Sequence, residues 1–157
     1  MSTFADTACM VATSVEPIAS RRTMKRIEAA GTTFGPLVRL LKPLGFHDYL
    51  HLQTHARAVL SDSGTLSEEA SILNFPALNL RDAHERPEAM EEAIAMMVGL
   101  EPERVSQGLA ILAAQPRGER RMLRLVADYE ALNVSDKVVR IIHSYTDYVN
   151  RIVWKRY

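Results

Sequence analysis

Thiols are nearly missing from this chain: Cys9 is the single cysteine in 157 residues. One cysteine cannot close an internal disulfide, which excludes a disulfide-stapled secreted scaffold. An excess of either charge is missing too, since 19 Lys and Arg are balanced by 19 Asp and Glu. Without a basic field there is no broad electrostatic grip on nucleic acid or anionic lipid. Neither nucleic acid nor a membrane is therefore expected as a partner, and only a local basic pocket for a phosphate is left open. No apolar run approaches the roughly 20 residues that span a bilayer. The N-terminus lacks the charge-then-apolar layout of a signal peptide, so a cytoplasmic location is expected. Internal repeats and low-complexity segments are also absent. What remains is the balance of a globular domain, 47% hydrophobic and 24% charged, in a length that suits one domain.

Residues 1–20 are rich in Ser, Thr and Ala and show no helical period. A short strand over 10–15 inside a flexible lead-in is expected there. The pattern changes at Arg22. A helix over 23–30 is predicted, with Gly31 placed for a left-handed cap. Residues 37–41 form an apolar run of strand length, punctuated by Pro43 and Gly45. The spacing of Phe46, Tyr49, Leu50 and Gln53 predicts a helix over 46–56. A buried strand over 58–62 follows, then the turn Ser63-Gly64-Thr65 and a helix to Leu73. Thr65 and Glu68 have the spacing of a capping box. Further strands are expected over 76–80 and 95–98. Helices are expected over 87–93 with Pro87 in the first turn, over 102–113 and 118–129, and from a Ser135 cap to about Lys155. Short apolar strands alternating with helices imply βαβ units, a parallel sheet with strands near Leu37, Val59, Ala77 and Met96, and helices on both faces.

Several residues have chemistry to offer. Ser63 and Gly64 fall between a strand and a helix N-terminus, where free N–H groups and the helix dipole attract an anion. Gly64 lets the backbone approach phosphate oxygens without a Cβ in the way. The same residues also fit an ordinary strand-to-helix turn. Glu69 can accept two hydrogen bonds, matching a ribose diol, whereas a solvated helix face fits Glu68 better. Arg86, before Pro87, can hold a phosphate in a bidentate way or form a surface salt bridge to Glu85 or Glu88. His47, His51 and His55 are spaced four apart on one helix face, but no Cys or carboxylate completes a metal site, so neither metal nor cofactor is expected. The last helix carries Val138, Ile141, Ile142, Tyr145, Tyr148, Val149, Ile152 and Val153, a stripe too wide to be wholly solvated.

The blocks Ser61-Asp62-Ser63-Gly64-Thr65-Leu66-Ser67-Glu68-Glu69-Ala70, Leu73-Asn74-Phe75-Pro76-Ala77-Leu78 and Arg81-Asp82-Ala83-His84-Glu85-Arg86-Pro87-Glu88 resemble the signature of the non-hydrolysing UDP-N-acetylglucosamine 2-epimerases. That family has Asp-Ser-Gly, a Glu-Glu pair, a Pro-led strand and Arg-Asp followed by Glu-Arg-Pro-Glu. The stretches 41–49 and 133–151 resemble the branch acting on 2-acetamido-2,6-dideoxy-hexose nucleotides, the UDP-2-acetamido-2,6-dideoxy-L-talose 2-epimerases that form UDP-N-acetyl-L-fucosamine for surface polysaccharides such as O-antigen and capsule. Ser20, Arg21, Arg22 and Thr23 stand where that branch has His-Pro-Arg-Thr, a departure that suggests a truncated or rearranged reading frame.

The resemblance implies a Rossmann-like three-layer parallel sheet, the C-terminal domain of a GT-B-type two-domain fold. Residues 21–130 would be the UDP-binding domain and 131–157 a helix crossing to a first domain not represented here. It implies UDP-sugar binding by Ser63, Gly64, Thr65 and Glu69, with Phe46 and Tyr49 in the region that contacts uracil. Arg86 would be catalytic, steadying the diphosphate as UDP departs. The carboxylates that work at the sugar ring belong to the first domain, so this chain alone is expected to be inactive. Its partner would be that domain or a second copy. A non-enzymatic interaction module and the donor-binding domain of a GT-B glycosyltransferase are the competing readings; the spacing of the blocks favours the epimerases over the transferases.

Overall fold

The computed structural model describes residues 7–10, 14–83 and 86–156, with side chains from residue 14 onward. Its centre is a five-stranded sheet in the order β2-β1-β3-β4-β5. The strands are β1 (Thr7–Met10), β2 (Val15–Ile18), β3 (Ala58–Ser61), β4 (Ala77–Asn79) and β5 (Ala95–Met97). β3, β4 and β5 run parallel, with Val59 opposite Ala77 and Ala77 opposite Ala95. β1 pairs antiparallel with both β2 and β3.

Side chains alternate across the sheet with period two. Val59, Ala77 and Ala95 face a core shared with Tyr49, Leu66, Ala70 and Phe75. Ala58, Leu60, Leu78 and Met96 face the opposite core, with Val105, Leu109 and Leu112. The first core is covered by α2 (Phe46–His55) and α3 (Leu66–Leu73), the second by α5 (Pro102–Leu112). Helices thus lie on both faces of a mainly hydrophobic sheet, as βαβ connections require.

Local chemistry accounts for the helix ends. α1 (Arg21–Ala29) begins where the Ser20 hydroxyl accepts from the Thr23 N–H at 3.2 Å. It ends at Gly31, whose φ of +60° permits the left-handed turn there. α4 (Pro87–Glu91) starts on the proline, whose missing N–H would be unpaired there anyway. α3 ends at left-handed Asn74, whose side chain donates to the Gly118 and Arg120 carbonyls at 2.7 and 2.9 Å.

Four sequence expectations need correction. The first 20 residues are not simply a lead-in, because β1 and β2 lie within them, and they flank the span where one strand was expected. The 37–41 run is not a full strand of the parallel sheet. It touches β2 through two isolated bridges, Val15 to Val38 and Ile18 to Leu41. The Arg39 and Leu41 N–H groups donate to the Val15 and Pro17 carbonyls at 2.9 and 2.8 Å, but Pro17 has no N–H to return a bond between them. Residues 118–126 are not helical; only a 3-10 turn forms, at Ala127–Tyr129. This stretch instead caps other elements: Arg121 donates to the Ser71 and Ile72 carbonyls at 2.7 and 2.8 Å, and Arg117 to the Ala56 carbonyl at 2.6 Å. The Ser71 and Ile72 carbonyls lie in the last turn of α3, where they lack partners within the helix, and Ala56 is the extended residue that follows α2. The final helix, α6 (Val134–Tyr148), starts after left-handed Asn133 rather than on a Ser135 cap, and passes into a π-helical turn at Val149–Val153.

Candidate functional site

Parallel sheets bind ligands beyond the C-terminal ends of their strands, and the 62–65 turn lies there, between β3 and α3. The Ser61 hydroxyl accepts from the Ser63 N–H at 3.1 Å, and the Ser63 hydroxyl accepts from the Thr65 N–H at 3.3 Å. The turn therefore bonds to itself and holds its shape. Ser63 and Gly64 are half-buried at its crest. α3 adds the positive end of its dipole and its first unpaired N–H groups.

The Thr65 hydroxyl donates to Glu69 Oε1 at 2.9 Å. On the other side, Gln53 Nε2 and the Tyr49 hydroxyl, both from α2, donate to Glu69 Oε2 at 2.6 and 3.5 Å. Tyr49, Ser63, Thr65 and Glu69 are thus brought together by one hydrogen-bonded chain. Phe46 occupies the first position of the helix that carries Tyr49, but it is 55% exposed and stacks edge-on against His47.

Arg86 stands at the N-terminal boundary of α4, and its Nε donates to Glu68 Oε1 at 2.8 Å. The hydrogen bond to Glu68 is the first cause raising the guanidinium pKa above its ordinary value, followed by the Glu68 charge. This arrangement corrects two expectations. No capping box forms, because Thr65 itself is helical and makes no side-chain cap, and Glu68 turns to Arg86 instead. Glu88 does not pair with Arg86; it accepts from the Tyr129 hydroxyl at 3.0 Å. Burial, then the bond to Glu88, pushes the Tyr129 phenol up to about 12. His84 and Glu85 lie outside the described residues.

The rings of His51 and His55 lie 4.0 Å apart, with His55 Nδ1 against the His51 carbonyl at 2.8 Å. Among the described residues no group of three or more His, Cys, Asp or Glu is placed to hold a metal ion. Sequence reasoning missed Gln53 as a site residue. Its signal was a polar side chain at an apolar position of the α2 stripe, and it is fully buried.

Residues 4–143 match the family described as UDP-N-acetylglucosamine 2-epimerase. A UDP-N-acetylglucosamine 2-epimerase from Methanococcus maripaludis is 38% identical over 69 residues, 44% of this chain and 19% of that protein. The structure of the Rickettsia bellii UDP-N-acetylglucosamine 2-epimerase superposes with a TM-score of 0.80 at 46% identity, over 88% of this chain and 39% of that one. The Methanocaldococcus jannaschii UDP-GlcNAc 2-epimerase, solved in complex with UDP-GlcNAc and UDP, gives a TM-score of 0.67 at 27% identity, over 79% of this chain and 34% of that one. This chain thus spans between about a fifth and two fifths of the length of these relatives. The length of the family match, reinforced by the fold and the 61–88 motif blocks, establishes that the chain belongs to the UDP-N-acetylglucosamine 2-epimerase family.

Proposed function

We propose that this chain is the UDP-sugar-binding half of a UDP-N-acetylhexosamine 2-epimerase, acting in cytoplasmic synthesis of surface polysaccharide precursors and inactive by itself. The observation that carries the reading is the cluster at the start of α3. There a self-bonded turn, a helix N-terminus, a braced carboxylate and a cation share one end of the sheet. Each part answers a part of UDP. The Ser63 and Gly64 backbone and the Ser63 and Thr65 hydroxyls suit the diphosphate. Glu69, an acceptor-only group, suits the ribose diol. Phe46, exposed on α2, suits the uracil ring, and Tyr49, buried on the same helix, serves that side of the site through its bond to Glu69. Inversion at C2 by elimination and re-addition of UDP builds charge on the departing diphosphate, and Arg86 stabilises that charge. The 41–49 and 133–151 resemblances favour a 2-acetamido-2,6-dideoxy-hexose nucleotide as substrate, on the branch leading to UDP-N-acetyl-L-fucosamine.

Calorimetry with UDP on the purified chain tests this reading. Binding weaker than in a full-length epimerase is expected, because the chain spans only about two fifths of such a protein. Arg86→Ala and Glu69→Ala should each weaken it by about tenfold, the order of a lost charge-assisted hydrogen bond. Unchanged affinity in both variants would show that the site is misassigned.

A second reading, an interaction module, is favoured by one observation. α6 and the turn after it leave Ile141, Ile142, Tyr145, Tyr148, Ile152, Val153 and Trp154 each at least half exposed. A face of that kind marks a contact surface. In the epimerase reading it is covered by the first domain or by a second copy.

A further inference from the structure

We propose that Glu68 is a positioning residue for Arg86, its carboxylate setting the orientation in which the guanidinium meets a diphosphate at the start of α3. The inference rests on the UDP reading above and deepens it. Glu68 lies in the first turn of α3, and Arg86 stands 18 residues later at the start of α4. The two helices pack together, so the bond between Nε and Oε1 ties one element to the other. Pro87 restricts the Arg86 backbone from the other end, disfavouring helical geometry; φ is −130° and ψ 76°. Backbone and side chain are therefore both constrained.

The pair contributes little to stability. Its side chains are 39% and 34% exposed, and exposed ion pairs are screened by water. Its consequence is orientation. An arginine side chain has many rotamers to lose when it docks on a phosphate. A bond already made at Nε sets the plane of the fork before the ligand arrives, which is preorganisation. Glu88, one of the carboxylates expected to pair with Arg86, is bonded to Tyr129 instead. An opposing effect exists, since a carboxylate near a diphosphate repels it. Positioning and repulsion predict opposite signs when Glu68 is removed.

The test compares UDP with uridine on the full chain by calorimetry. Uridine carries the ribose and base but no phosphate, so the ratio of the two affinities isolates the diphosphate contacts, and the Arg86→Ala background separates the share of Arg86 among them. Glu68→Ala should weaken UDP binding about 3- to 10-fold, the usual size of coupling between neighbours, and leave uridine binding unchanged. Glu68→Gln, which keeps an oxygen acceptor for Nε, should recover most of the loss. In an Arg86→Ala background, Glu68→Ala should change nothing further. The Arg86 Nε–H resonance should be protected from exchange in the parent chain and lose that protection in Glu68→Ala. Tighter UDP binding by Glu68→Ala would show that the carboxylate competes with phosphate, and overturns the proposal. So would an equal loss for UDP and uridine, or losses that add in the double variant. Failure of the nucleotide reading looks different: the parent chain then binds neither ligand, and this inference falls with it. Should Glu68→Ala fold poorly, Glu68→Gln and the resonance decide alone: an unprotected Nε–H in the parent chain overturns the proposal.

Discussion

Around Glu69 three donors converge from two elements: Tyr49 and Gln53 from α2, and Thr65 from the turn before α3. A carboxylate has about four acceptor positions, so the three donors leave one, on Oε1, and a ribose diol binds through it or in place of a present donor. The bracing fixes where that room lies. Tyr129 plays a comparable part on the far side, where its hydroxyl holds Glu88 in the first turn of α4. Its phenol is pushed up to about 12 by burial and then by the bond to Glu88, against about 10 in the unfolded chain. The neutral phenol is thus favoured in the folded state. Its contribution to stability is complete below pH 10 and is lost as the pH rises through the folded value near 12. Urea midpoints should fall across that window in the parent chain and fall less in Tyr129→Phe. Equal slopes for the two proteins would contradict the assignment. Neither Gln53 nor the Glu68 to Arg86 pair was legible as such in the sequence, because each partner lies 16 to 18 residues away and only the packing of helices brings them together.

β4 and α5 show how closely the elements fit. Gly108 lies in the middle of α5, where glycine costs about 1 kcal/mol relative to alanine. The reason it is there is steric. A Cβ at this position would stand 2.9 Å from Leu78 Cδ2 and 3.1 Å from Val98 Cγ1, and Leu78 is fully buried and has nowhere to move. Gly108→Val should therefore destabilise the chain by about 1–3 kcal/mol, as overpacking does, read as a lower urea midpoint. An unchanged or raised midpoint would mean that α5 can slide off the sheet. At this scale most of the middle of the fold was legible. The apolar runs around Val59, Ala77 and Met96, separated by helical periods, became β3, β4 and β5 within a residue or two. Where the reading failed, tertiary bonds or a missing donor outweighed local pattern. The 118–129 stretch has helical composition, but Gly118 adopts a φ of +64° and the neighbouring arginines are drawn onto the ends of α2 and α3. Pro17 leaves the 37–41 run with bridges instead of a ladder. The α3 turn was legible because Ser-Gly between an apolar run and a Glu pair is a local signal.

In the proposed reading the molecule supplies the nucleotide end of the site, and its described residues offer little else that acid–base chemistry at carbon demands. Inverting C2 requires a group to remove a proton and a group to return one on the other face, inside a closed, dry cleft. Among the described residues, three carboxylates of α3 and α4 are already bonded: Glu68 to Arg86, Glu69 to Gln53 and Thr65, and Glu88 to Tyr129. Asp62, in the turn itself, is exposed to water, the opposite of the dry setting such a transfer needs. This chain covers 39% of the Rickettsia bellii relative, and in the proposed reading the remainder supplies the second wall and the sugar-side carboxylates, docked against the exposed face of α6. General acid–base groups contribute about 10²- to 10⁴-fold each, so in that reading the chain without those two groups turns over more slowly by about 10⁴-fold or more. The chain incubated with UDP-N-acetylglucosamine in deuterated water should therefore show no deuterium at C2 by mass spectrometry, while still binding UDP. Incorporation above the level of an Arg86→Ala control purified in parallel would mean that these 157 residues contain a base of their own. Asp62 would then be the first residue to replace.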